Sequence, residues 1–144
     1  MPQPHINTKI VTEQDVRAFL LDNCPAANLL LDDYEFSSEE IRSAVSLCVD
    51  KWNELPPAVE FFTEETFPWR FHLLHGVAGV LMTSAAVRYM RNAATMAVEG
   101  GSLDDQSPKG PAYVQMANQF KMEYNTFIAS KKNEINSHIG WAAL

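Results

Sequence analysis

His72 and His75 lie three residues apart, a spacing that places two imidazoles on one face of a helix, where they can act as metal ligands. Glu134 and His138, four apart, offer a second pair of donors, so a helical metalloenzyme is one reading. Helical metal centres, however, draw on recurring Glu-x-x-His pairs, and none recurs here. The two histidines therefore read as partly exposed helix residues. Cys24 and Cys48 carry no local signature of a nucleophile, and no Gly-x-Ser-x-Gly elbow is present. Gly100, Gly101 and Gly110 lack the Gly-Lys-Ser/Thr ending of a phosphate loop. Asp104-Asp105 lacks the Asp-x-Asp-x-Asp-Gly spacing of a calcium loop and reads as a solvated turn. Arg88, Arg91 and Lys109 are scattered cations on an acidic chain. The expectation is a protein that performs no catalysis and holds no cofactor or metal.

Composition narrows the class. The 144 residues suffice for one domain with a real core, and 47% hydrophobic with 20% charged residues is a globular balance. A net charge of −7 argues against generic binding to phosphate backbones, while an acidic wall past which DNA slides remains compatible. Two cysteines are too few for a disulfide framework, so both are expected reduced. No secretory signal opens the sequence, and the longest helix carries His72, His75, Arg88 and Arg91, so it does not read as a membrane span. A soluble protein made in a reducing cytoplasm is expected.

The elements that would carry these residues are helical. Residues 1–11, with Pro2 and Pro4, read as an extended N-terminal arm. Thr12 caps a short helix to about Leu21, showing Val16, Phe19 and Leu20 on one side. The stretch 26–36 reads as a loop whose leucines dock on the core. Ser37 or Ser38 caps the next helix. With Ser37 as the cap, Glu40 is its capping-box partner. Ile41, Ala44, Val45, Cys48, Val49 and Trp52 follow as one apolar stripe, and Pro56 stops the helix at Leu55.

An aromatic connector leads to Pro68, and Phe61 and Phe62 are expected to cover the bundle end. A long helix over about 68–96 carries Phe71, Leu74, Ala78, Leu81, Ala85 and Arg88 on one stripe. Leu73, Val77, Val80, Ser84 and Val87 lie on the adjoining one. An apolar surface that wide predicts burial on more than one side. After the polar loop 102–110, a second long helix opens at Pro111 and runs to about 137, with Tyr113, Met116, Ala117, Phe120, Tyr124, Phe127, Ile128, Lys131 and Ile135 in step. Each would span roughly 40 Å, and a connecting loop makes them antiparallel neighbours. The predicted fold is all-α: a small bundle (residues 12–138) with two long antiparallel helices, a polar inter-helix loop and extended termini. In the tail 139–144, Trp141 either docks on its own domain or anchors in another subunit.

The order of these patterns carries a resemblance. Glu-Phe-Ser-Ser-Glu-Glu-Ile (35–41) precedes a helix ending in Trp-Asn-Glu-Leu-Pro-Pro (52–57). Phe67-Pro68 and a long helix ending in Arg91-Asn92 follow. Next come a Gly-Gly-x-x-Asp-Asp loop, Lys-Gly-Pro-Ala-Tyr (109–113) and a closing Gly140-Trp141. Over residues 12–141 this succession resembles the small helical head–tail connector (adaptor) proteins of tailed bacteriophages. The resemblance implies a virion protein of the neck, forming a homo-oligomeric ring of twelve subunits beneath the portal protein. Such a ring extends the DNA channel, passes DNA without sequence-specific binding and offers a platform to a neck or tail-completion protein. Asp104, Asp105 and Lys109 of the loop and Ile139, Trp141 and Leu144 of the tail are the expected interface residues. A different neck, head-completion or tail-terminator protein is the nearest alternative, and a helical metalloenzyme using His72 and His75 the distant one.

Overall fold

Two capping boxes start the first two helices. Thr12 accepts from the Asp15 N–H while the Asp15 carboxylate accepts from the Thr12 N–H, opening α1 (Glu13–Leu20). Ser37 and Glu40 make the same reciprocal pair at the head of α2 (Ser38–Glu54), as their spacing predicts. α3 (Arg70–Val98) and α4 (Lys109–Ala142) complete an all-helical chain, with no strand among the described residues. The computed structural model describes residues 10–24, 26, 33–98 and 109–142, without the side chains of 93–98, 109, 141 and 142. The arm as far as Lys9, the leucines at 29–31 and the inter-helix loop from 99 to 108 lie outside those residues.

α2 buries the six residues its stripe predicts, from Ile41 to Trp52. Leu55, held extended before Pro56, ends it. Its last turn then organises the connector. The Trp52 indole donates to the Glu60 carbonyl at 2.9 Å, and the Asn53 amide both donates to and accepts from the Phe62 backbone. Phe62, Phe67 and Trp69 are thereby gathered round Trp52, with ring centroids 5.0 to 5.8 Å from it. Phe62 covers the bundle end as expected. Phe61, one residue earlier, faces the other way and stays exposed.

α3 and α4 run antiparallel, as their pairings show: His72 meets Phe127, Gly76 meets Tyr124, Tyr89 meets Tyr113 and Met90 meets Gly110. Gly76 permits the closest approach, since a Cβ there would lie 2.6 Å from the Tyr124 ring. That tyrosine is buried and donates its hydroxyl to the Cys48 carbonyl at 2.7 Å, tying α4 to α2. By length and composition α3 is apolar enough over Arg70–Asn92 to cross a membrane. In the fold, Leu73, Val77, Ala78, Leu81 and Ala85 are spent on the core, each removed from water almost completely. Burying a large aliphatic side chain of this kind contributes about 1.5–3 kcal/mol.

Four expectations about these helices need correction. The expected stripes of α3 include Phe71 and Val87, yet both are exposed. Met116, expected on the inner stripe of α4, is also exposed. α4 begins at Lys109, so Lys109 and Gly110 belong to the helix and Pro111 is its third residue rather than its first. At the other end no break occurs near Ser137. Ile139, Gly140, Trp141 and Ala142 continue the helix instead of forming an extended tail. A single glycine costs a helix about 1 kcal/mol and does not by itself end one.

Candidate functional site

A groove of about 800 Å³ lies where α3 begins and α4 passes over it. Trp69, Phe71, His72, Met122 and Phe127 provide its apolar surface, and His75, Glu123, Lys131 and Glu134 supply polar and charged groups. Helical spacing explains the arrangement. Phe71, His72 and His75 share one flank of α3, and Met122, Phe127 and Lys131 rise from the facing side of α4.

The histidine pair, the leading candidate for chemistry, is occupied otherwise. His72 lies flat on Phe127, centroids 3.9 Å apart and planes 4° from parallel. Burial, with His75 and Lys131 adding repulsion, lowers its pKa and favours the neutral ring. His75 faces two acceptors: its Nδ1 is 2.9 Å from the Phe71 carbonyl and its Nε2 is 3.0 Å from the Glu123 carboxylate. Phe19 and Phe71 set their edges or faces against it at 5.2 and 4.6 Å. Both ring nitrogens of His75 thus face protein oxygens rather than a shared site with His72. Glu134 is held by Lys131 at 3.1 Å. Among the described residues no three His, Cys, Asp or Glu side chains gather as a metal-holding group.

The cysteines are equally separated. Cys24 is exposed, whereas Cys48 is buried in the core, where desolvation pushes its thiol up to about 12. Arg88, read as a scattered surface cation, instead spans two elements: it donates to the Glu35 carbonyl at 3.1 Å and pairs with the Glu40 carboxylate.

The six expected interface residues do not form one patch. Asp104, Asp105 and Leu144 lie outside the described residues. Lys109 sits at one end of α4 while Ile139 and Trp141 sit at the other, roughly 45 Å away along the axis. Ile139 is exposed. Beyond Ile135, which still packs on the core, residues 136–140 are all exposed, and a Cβ at Gly140 would meet nothing within 4 Å. Over residues 136–140, α4 therefore runs on beyond the described part of the bundle.

Two exposed residues of the groove, Phe71 and Met122, are absent from the sequence-based site. Met122 had a signal: a methionine among Lys121, Glu123 and Asn125, on the face otherwise suited to solvent. Phe71 had none, because periodicity assigns it to the apolar stripe.

Compared with protein-family models, curated proteins and solved structures, the chain matches none.

Proposed function

We propose that this protein is a structural assembly subunit of a tailed-bacteriophage neck, a head–tail connector that forms a homo-oligomeric ring beneath the portal protein and performs no catalysis. The ring extends the DNA channel and receives the next neck or tail-completion protein. The order of motifs from Glu35 to Trp141 supplies the family part of this reading.

The observation that carries its assembly part is the projecting end of α4. Short helices without tertiary partners are marginal in water, and most helical stability in proteins comes from packing an apolar face. A helix that leaves its own bundle with Ile139 uncovered is suited to meeting another subunit. The acidic balance of −7 suits a channel wall that repels DNA and does not hold it.

Co-expression with the portal protein encoded in the same genome, followed by ring purification and negative-stain imaging, tests the reading. A second tier of density beneath the portal, with both chains co-purifying, is the expected outcome. Portal rings that never acquire this chain, or turnover of a substrate by the purified protein, would overturn it. Deleting residues 139–144 should abolish that tier while the helical domain stays folded.

A further inference from the structure

We infer that Glu35 couples two parts of the molecule into one opening unit: the first turns of α4 and the clasp of Asp22 on residues 35 and 36 are released together, while the aromatic end of the bundle stays closed. The device lies within one chain and is independent of the assembly reading above.

Every polar group of Glu35 is engaged by a side chain of another element. Its N–H donates to the carboxylate of Asp22, just past the end of α1, at 2.9 Å. Its carbonyl accepts from Arg88 of α3 at 3.1 Å. Its two carboxylate oxygens accept from Tyr89 of α3 at 3.0 Å and from Tyr113 of α4 at 3.4 Å. The contacts run on from there. Asp22 also accepts from the Phe36 N–H at 3.2 Å and from Arg17 at 3.0 Å. Arg17 in turn holds Glu13 at 2.7 Å, which accepts from Ser38 at the start of α2, and Arg88 closes the circuit by pairing with Glu40. One residue ahead of the α2 cap thereby connects all four helices.

Little apolar packing duplicates this hold. Between residues 110 and 117, α4 buries only Gly110 and Ala117. Ala85 and Ala86 are the buried residues on that stretch of α3, while Val87 and Met90 stay exposed. Such small side chains remove little apolar area from water, and the stabilisation scales with that area. Toward the aromatic end, by contrast, α4 buries Tyr124 and Ile128. Segments with few buried apolar contacts open at lower free energy than the whole fold. Here the opening is shared, because the bonds from Asp22 and Arg88 fix the Glu35 backbone, and that backbone aims the carboxylate at the two hydroxyls. Loosening either side unsettles the other, and linkage makes the coupling equal in both directions. A partner that held the first turns of α4 would steady residues 35 and 36, and one that drew them away would loosen both.

Amide hydrogen exchange of the whole chain, followed residue by residue by NMR at neutral pH, tests the coupling from both sides. Tyr89→Phe/Tyr113→Phe removes the two hydroxyls and keeps the stacked rings. It should speed exchange of the Glu35 and Phe36 amides about tenfold, although those N–H groups bond to Asp22 and to neither tyrosine. Asp22→Asn acts from the opposite side. Asp22 accepts from Glu35, Phe36 and Arg17, none of them on α4, yet the substitution should speed exchange at residues 114–117 of α4 by a similar factor. Amides of residues 124–132, at the aromatic end, should keep their original rates in both variants. Faster exchange confined to the side that carries the substitution overturns the coupling. So does an equal rise over 124–132, which makes the opening global. Because the variants approach Glu35 from opposite sides, one that fails to fold leaves the other to decide the outcome.

Discussion

The two ends of the α3–α4 pair are held together by different physics. At the start of α3, Trp52, Phe62, Phe67, Trp69 and Phe127 pack ring against ring, and Lys132 lies buried with its ammonium 5.1 Å over the Trp52 ring, donating to the Leu55 carbonyl. Toward the far end the closure is polar. The Tyr89 and Tyr113 rings stack 5.3 Å apart, and both hydroxyls donate to the Glu35 carboxylate, at 3.0 and 3.4 Å. Asp22 meanwhile accepts from the Glu35 and Phe36 N–H groups and from Arg17. Ring packing excludes water and has no proton to lose, whereas buried phenols held against a carboxylate respond to alkaline pH. The contrast places the groove on the apolar side of the molecule.

The largest effect should come from breaking the aromatic end. Trp52 is fully buried, and Trp52→Ala should cost about 3–5 kcal/mol, read as a lower urea midpoint. Tightening the pair at Gly76 comes next. Gly76→Ala gains about 1 kcal/mol of helix propensity but drives a methyl into the Tyr124 ring, which its bond to Cys48 holds in place. Overpacking costs about 1–3 kcal/mol, so a net loss is expected in the same measurement.

The polar end is sharpened by pH. Burial, reinforced by the Glu35 carboxylate, raises the pKa of Tyr89 and of Tyr113. A phenol whose folded pKa is raised contributes its stability fully below the unfolded value of about 10 and loses it as pH climbs through the folded one. Thermal midpoints should therefore fall above about pH 10, and the Tyr89→Phe/Tyr113→Phe double variant should flatten that fall. Burial raises the Tyr124 pKa as well, so part of the alkaline loss should remain. An unchanged alkaline slope in the double variant would show that the polar end does not titrate as argued.

The smallest effect lies at α1. Burial works to raise the Asp15 pKa, yet hydrogen bonds from the Thr12 N–H and from Arg70 outweigh it, and the net shift is downward. Its stabilisation is present above the unfolded carboxyl range near about 4 and lost as pH falls below it. Asp15→Asn should cost about 0.5–1 kcal/mol at neutral pH and nothing in strong acid, where both proteins carry a neutral side chain. Equal losses at both pH values would assign the effect to packing.

Much of the fold was legible because its signals are local. Thr12 caps α1, Ser37 with Glu40 closes a capping box within four residues, and Leu55-Pro56 ends a helix by a clash between neighbours. The site was less legible. The spacing of His72 and His75 says that they share a face. It cannot say that Phe127 would lie flat on one and that Glu123 and the Phe71 carbonyl would engage both nitrogens of the other.

What the sequence by itself determined was where α1 and α2 begin and where α2 stops, which face of α2 is apolar, and that two long helices must pair. Hydrogen bonds, caps and side-chain periodicity within a helix act over three or four residues and are written in adjacent letters. Only the tertiary structure decided which part of α3's broad apolar surface would be covered, leaving Phe71 and Val87 in water, and that α4 would run on past its bundle. Those outcomes depend on the length of α4 relative to the elements beneath it, and no local pattern encodes where a neighbouring helix ends.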